Sequence, residues 1–498
     1  MAFNTYLALA SALALWYFLS SIAAWHRLRH FPGPVLARFS NLHRLFSSFS
    51  GKCYLKYAHL GQTYDNNARS LIRIGPNDLI TSDPDIIRRM SAARSYYRRS
   101  AWYAALLVDP RSENMISTLN TAAHDRLKIA TAAGYGTSAS AHIEEAIDPQ
   151  VMALVDLLRR KYTSGPERYR PVEFGALSKF FALDVITRLA YDKEAGHLAT
   201  DSDVYGCLEF FDCFPKQLQM RTELPITSRV FLSSLFLHFF GPKHSDPRGM
   251  GRLMRLVHDA IQDYGENKHG KEKGFVGAFL SAGLDANQCE SEVILQLTAG
   301  FHTTAIAICT ILVHILSTPR VYARLKADIA QAAKDGSISS PITESEAKAM
   351  PYVQAVILEG LRIHPPVASR FAKQVPPQGD TLQGRFIPGG TRISHNIWAL
   401  MRDEPIFGPD VELFRPERFL QADPAKVNPT MQAQVDFCFG YGRWGCVGKH
   451  IARMELDKIF VELLRAFDIQ LVYPGNTLNM KQEVLFSQKD LWIQVQEV

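Results

Sequence analysis

Among the side chains able to do chemistry, Cys446 has the most informative surroundings. It lies in the glycine-rich run Phe439-Gly440-Tyr441-Gly442-Arg443-Trp444-Gly445-Cys446-Val447-Gly448, and a helical pattern follows. Such a loop brings backbone close to a flat ligand and sets a thiol near the positive end of a helix dipole; both favour the metal-binding thiolate. By residue type alone, a buried structural cysteine is the commoner outcome. Glu359 and Arg362 stand three residues apart, where a helix would let them pair; in isolation that is a surface pair of little worth. His302, Thr303 and Thr304 are polar groups inside an uncharged run over residues 293–319. A neutral imidazole there can relay protons, or it can be a packed helix residue bonded to a neighbour.

The elements that must position these groups follow from patterning. No charged residue occurs from Met1 to Trp25; then come His26-Arg27-Leu28-Arg29-His30 and Phe31-Pro32-Gly33-Pro34. That length can span a hydrocarbon core, the basic flank predicts the body of the chain in the cytosol, and the prolines stop the helix; the rival is a cleaved signal peptide with Ser21-Ile22-Ala23 as a loose cleavage site, against which stand the missing positive n-region and the long apolar stretch. The second uncharged run carries Gln296, Thr298, Gly300, His302, Thr303, Thr304 and His314 around its circumference. Polarity on all sides is costly against lipid, so this run is expected as a helix buried in a protein core. Residues 70–74 and 78–81 read as strands, and helices dominate from about residue 250 up to a turn-rich stretch over 376–439. Thr343-Glu344-Ser345-Glu346 has capping-box form and Pro351 suits a first helical turn. Leu456, Ile459, Phe460, Leu463, Leu464 and Phe467 recur on one helix face after Cys446. The expected fold is mainly α with small peripheral β-sheets: a membrane anchor with its basic flank over residues 1–30, then a single domain over 31–498.

Composition narrows the function. With 47% hydrophobic and 21% charged residues, the 498-residue chain has material enough to enclose a cofactor. The net charge of +6 is spread along the chain, which favours an anionic membrane surface or acidic partners over nucleic acid. The seven cysteines are irregularly spaced, with no C-x-x-C pair, so a disulfide scaffold is not expected and a reducing compartment is.

The Cys446 loop resembles the haem-binding signature F-x-x-G-x-R-x-C-x-G of the cytochrome P450 family, with Phe439, Gly442, Cys446 and Gly448 in place. Trp444 occupies the arginine position, and Arg443 stands one residue early. Three further motifs occur in the family's order: Glu359-Gly360-Leu361-Arg362 for E-x-x-R, Phe414-Arg415-Pro416-Glu417-Arg418-Phe419 downstream, and Ala299-Gly300-Phe301-His302-Thr303-Thr304 for A-G-x-D/E-T-T, with His302 in place of the acid. His124-Asp125-Arg126-Leu127-Lys128 is similar to the family's W-x-x-x-R. The resemblance covers the chain from Pro32 onward.

It implies an α-rich haem-thiolate fold holding haem b, with Cys446 as axial ligand to the iron. It places Phe439, His124, Lys128, Arg370, Trp444 and Arg443 around the cofactor, the last five as candidate donors to its propionates. Gly300 would leave room beside the haem. Thr303 would hydrogen-bond dioxygen and steer its protonation, with His302 as a second catalytic candidate. Glu359, Arg362 and Arg418 would form a structural lock. The implied activity is monooxygenation of a hydrophobic small molecule, with electrons from NADPH delivered by a separate flavoprotein reductase. Arg443, Lys449, His450 and Arg453 would bias the proximal surface toward an acidic partner. The substrate pocket would draw on residues 100–117, the helix around Ala299, residues 367–369 and a turn near Phe486. The apolar segment 229–241 would dip into the membrane or serve as ordinary core. The style of the haem loop is similar to fungal, microsomal members of secondary metabolism, with a single-pass anchor in the endoplasmic reticulum. His302 keeps open an oxidase or isomerase that forms double bonds, couplings or rings without inserting oxygen. A non-catalytic haem sensor is the remaining alternative.

Overall fold

The computed structural model describes residues 2–109, 111–136, 139–266, 274–421, 426–477 and 479–498. The chain divides into two compact units. The first comprises Met1–Trp102, Ala368–Leu400 and Tyr441–Trp444; the second comprises Tyr103–Val367, Met401–Gly440 and Gly445–Val498.

The first unit begins with the apolar helix α1 (Ala2–Arg27), whose large side chains are almost all exposed. Its span Asn4–Arg27 is long and apolar enough to cross a membrane. Its C-terminal end is fixed by Arg73, a fully buried guanidinium that donates to the carbonyls of Ala24 (2.8 Å) and Trp25 (3.2 Å). Those carbonyls have no partner within the helix, so a cation there answers both the hydrogen bonds and the dipole. A five-stranded sheet follows, in the order Ile72–Gly75, Asp78–Thr81, Arg392–His395, Lys373–Gln374, Arg98–Arg99. The first strand starts two residues later than alternation predicts, because Ser70 is taken up in a turn bond to the Asn67 carbonyl. Tyr57, Leu60, Ile72, Ile74 and Ile80 form the core beneath it.

The second unit is built of helices: α2 (Thr121–Thr131), α3 (Ser140–Leu157), α4 (Phe174–Tyr191), α5 (Ser234–Phe240), α6 (Gly249–Glu266), α7 (Ala286–Leu316), α8 (Pro351–Ile363) and α9 (Lys449–Ala466) are those that matter to the site. The second uncharged run is the buried central helix α7, packed most extensively on α4. Close approach is set by glycine: a Cβ at Gly300 would lie 2.8 Å from Ile186 of α4, and one at Gly360 of α8 would lie 2.3 Å from Ile311 of α7. Thr343 and Glu346 form the expected capping box, and Pro351 opens α8. Phe467 departs from the helical face expected of it. It is extended and pairs with Glu497, opening the strand Phe467–Leu471 of a three-stranded sheet with Trp492–Glu497 and Val172–Glu173. An aromatic residue suits a pleated surface as well as a helix, and the sheet takes it.

Candidate active site

In the second unit, the backbone N–H of Cys446 donates to the Phe439 carbonyl at 2.7 Å, closing the loop ahead of α9. Gly448 caps that helix, and the N–H groups of Gly448 and Lys449 point at the thiol. Burial pushes the thiol pKa up, against the lowering effects of those two donors and of Lys128. Cys446 nonetheless keeps exposed surface, so it is walled by protein yet presents an open face. Lys128, on α2, donates to the Gly445 carbonyl at 3.1 Å; on the same helix His124 is buried, with its Nδ1 2.9 Å from Asp125.

Helix α7 is buried throughout residues 289–313 except at Ala299, Gly300 and Thr303, which share one side and stay open. The Thr303 hydroxyl donates to the Ala299 carbonyl at 2.9 Å. His302 lies off that open stripe: it is buried, its Nε2 stands 2.7 Å from the Phe486 carbonyl, and burial lowers its pKa to about 4. A neutral imidazole whose Nε2–H donates to a carbonyl is a packed, satisfied residue. A Cβ at Gly300 would meet Ile186 across the helix interface. Thr304 donates to Glu455 of α9 at 3.1 Å. Burial drives the Glu455 pKa up to about 8, with the Thr304 bond opposing, so it is a carboxylic acid at neutral pH.

Glu359 sits between two guanidinium groups. Arg362 Nε and Nη2 donate to its two oxygens at 2.6 and 2.9 Å, and Arg418 Nε donates at 3.0 Å. The Arg415 N–H adds a fourth bond at 2.7 Å. The remaining donors of Arg362 reach the carbonyls of Met401, Val411 and Leu413. All three side chains are out of contact with water.

In the first unit, Arg99, Arg370, Lys373 and His395 are all buried. Trp444 is covered by cations: the Arg99 guanidinium carbon lies 4.5 Å and Lys373 Nζ 4.6 Å from its ring centroid, with Arg443 at 6.0 Å. Burial and the neighbouring Arg99 push the Lys373 pKa well below its ordinary value, and burial brings His395 to about 3.

The family model of Cytochrome P450 matches residues 32–495. The chain belongs to the cytochrome P450 family. It is similar to the cytochrome P450 monooxygenase ABA1 of Pyricularia oryzae, 39% identical over 492 residues that cover 97% of this chain and 95% of that protein. It is also similar to aba1 of Botryotinia fuckeliana (38%, covering 94% and 92%) and abl1 of Leptosphaeria maculans (34%, covering 93% and 82%), both named cytochrome P450 monooxygenases. The haem-thiolate monooxygenase activity expected from the sequence stands with this membership.

The residues present fit a P450 haem. Cys446 offers an open-faced sulfur with backbone donors behind it, which suits an axial thiolate. Sequence reasoning missed the burial of Arg99, Lys373, His395 and Glu455. Nothing in the local pattern marks them, because charged side chains on short strands and helices ordinarily read as solvated. The Arg443, Lys449, His450 and Arg453 group is partly engaged within the fold: Lys449 pairs with Asp436 at 2.7 Å, His450 lies 3.3 Å from Glu344, and Arg453 donates to Gln354 at 2.8 Å. Of the expected pocket segment over residues 100–117, Pro110 lies outside the described residues.

Proposed function

We propose that this P450 holds haem b through Cys446 and inserts one oxygen atom from dioxygen into a hydrophobic small molecule of secondary metabolism. Electrons come from NADPH through a separate flavoprotein reductase. The observation that carries the reading is Cys446 itself, walled by protein, open on one face and backed by the N-terminus of α9. When bound, the haem-thiolate centre supplies the electron donation that favours O–O cleavage.

The chain's own residues do the rest. Lys128, already bonded to the loop at Gly445, donates to a haem carboxylate together with His124. Arg370, Trp444 and Arg443 remain donors assigned by the family pattern. Phe439 supplies an aromatic face beside the cysteine. On the open stripe of α7, Thr303 holds a transferable proton at Oγ1. His302 acts by position: its bond to Phe486 fixes a turn that the family pattern places over the substrate, and relaying a proton would require breaking that bond. Ala299 and Gly300 present apolar surface, which suits an uncharged substrate. Glu359, Arg362 and Arg418 are the structural lock.

The exposed apolar α1 anchors the protein in the endoplasmic reticulum membrane, with the catalytic part cytosolic. On α5, Leu235, Phe239 and Phe240 are 73%, 64% and 75% exposed and give a second apolar contact with lipid. A flavoprotein reductase approaches the cationic surface around Lys449.

The test is turnover with NADPH, a reductase and lipophilic candidate substrates under isotopically labelled dioxygen. Product carrying one labelled atom is expected. NADPH-dependent product without label would replace this reading with desaturation or coupling, and product formed without NADPH would replace it with isomerisation.

A further inference from the structure

Away from these groups, the second unit gathers three metal-ligating side chains from three elements. His244 lies in the loop after α5, His258 on α6, and Glu290 near the start of α7. One ligand atom of each lies within 4.8 Å of the others. His244 Nε2 stands 2.8 Å from Glu290 Oε1, His258 Nδ1 stands 3.6 Å from Glu290 Oε2, and the imidazole centroids are 4.9 Å apart. Glu290 is buried, whereas both histidines are part-exposed, so the group is reachable from solvent.

The polar contacts within the group conflict. Arg111, bidentate on Asp109, also brings Nη2 to 2.5 Å from Glu290 Oε1 and Nη1 to 3.1 Å from His244 Nε2. His244 Nε2 thus faces a group that can only donate and a carboxylate that can only accept. A proton on that nitrogen serves the carboxylate and opposes the arginine; a lone pair does the reverse. A metal ion in place of the guanidinium would accept the nitrogen and carboxylate lone pairs together.

We propose that His244, His258 and Glu290 form a binding site for a divalent transition metal, of which Zn²⁺ is the best match. Two imidazoles and one carboxylate are a common zinc ligand set, with bonds of about 2.0–2.2 Å and a fourth position left for water. Side-chain rotation must draw the ligands together, which two part-exposed histidines permit. The bound ion would fasten the exposed apolar α5, through the loop that follows it, to α6 and to the start of the central helix α7. It would therefore stiffen the segment beside the second lipid contact without touching the thiolate centre.

The experiment is Zn²⁺ binding to the full haem-loaded chain by isothermal titration calorimetry, beside His244→Ala, His258→Ala and His258→Cys. Wild type is expected to bind one ion that each alanine variant loses by at least about tenfold in affinity, since a ligand is removed. His258→Cys is expected to keep binding and, with Co²⁺, to gain a thiolate-to-cobalt absorption that wild type lacks. Hydrogen exchange should slow on Zn²⁺ addition across residues 242–258. No stoichiometric binding, binding indifferent to both alanine substitutions, or a cysteine variant without the cobalt band would overturn the site.

Discussion

Glu359 and Glu455 are both buried acids in the second unit, and burial is accommodated differently in the two regions. Glu359 receives two guanidinium groups and a backbone N–H, and joins α8 to the segment 401–418. Glu455 receives one hydroxyl, from Thr304, and holds a proton to about pH 8 while joining α9 to the turn of α7 beside Thr303. Burial of a carboxylate is thus answered by guanidinium partners at Glu359 and by a retained proton at Glu455. The first solution makes a lock that tolerates no loss of a partner. The second makes a softer tie, sensitive to pH, between the cysteine helix and the oxygen-side helix.

The largest effect that sharpens this contrast is expected from Arg362→Ala, which leaves Glu359 short of a cation in a dry environment. Breaking a buried pair in this way costs about 3–5 kcal/mol, so the variant should express without incorporated haem. Normal haem content and melting temperature would place the lock among dispensable contacts.

A smaller effect is expected at Glu455, and its sign follows from linkage. The unfolded chain releases this proton near pH 4.5, the folded chain only near 8. The stability it lends is therefore full below the lower value and is lost as pH rises through the upper one. Between pH 6 and 8 that loss is about 2 kcal/mol, and Glu455→Gln should remove it, so the difference between variant and wild type in urea melts should grow in the variant's favour with pH. A pH-independent difference would mean that Glu455 is ionised in the fold. Thr304→Val, which deletes the one hydroxyl on this acid, is expected to cost about 1 kcal/mol and to raise the Glu455 pKa further.

How far the sequence could be read follows the same division. The Glu359–Arg362 pair is legible because its partners are one helical turn apart, and Arg418 because a family motif carries it. The buried α7 is legible from its length without charge and its scattered polarity, and α1 from its uncharged run and basic flank. The charged face of α9 is not. Glu455, Asp457, Lys458 and Glu462 carry no local sign of burial, yet all are buried, Lys458 among Glu144, Asp148 and the Ile342 carbonyl. Most of their partners lie far along the chain, where no local pattern reaches. The same holds for Lys373 and Arg99 on Trp444, for Ile186 against Gly300, and for Phe486 against His302. Phe467 fails for another reason: a helical repeat carries no mark of where a sheet will claim its last residue.

The central claim is that Cys446 is the thiolate ligand of a haem with an open distal side. Its most direct test is the carbon monoxide difference spectrum of the dithionite-reduced protein, for wild type and Cys446→Ser. A red-shifted thiolate-type Soret band in wild type, absent from the variant, is the result expected. A protein without haem, or an imidazole-type band unchanged by the substitution, would contradict it.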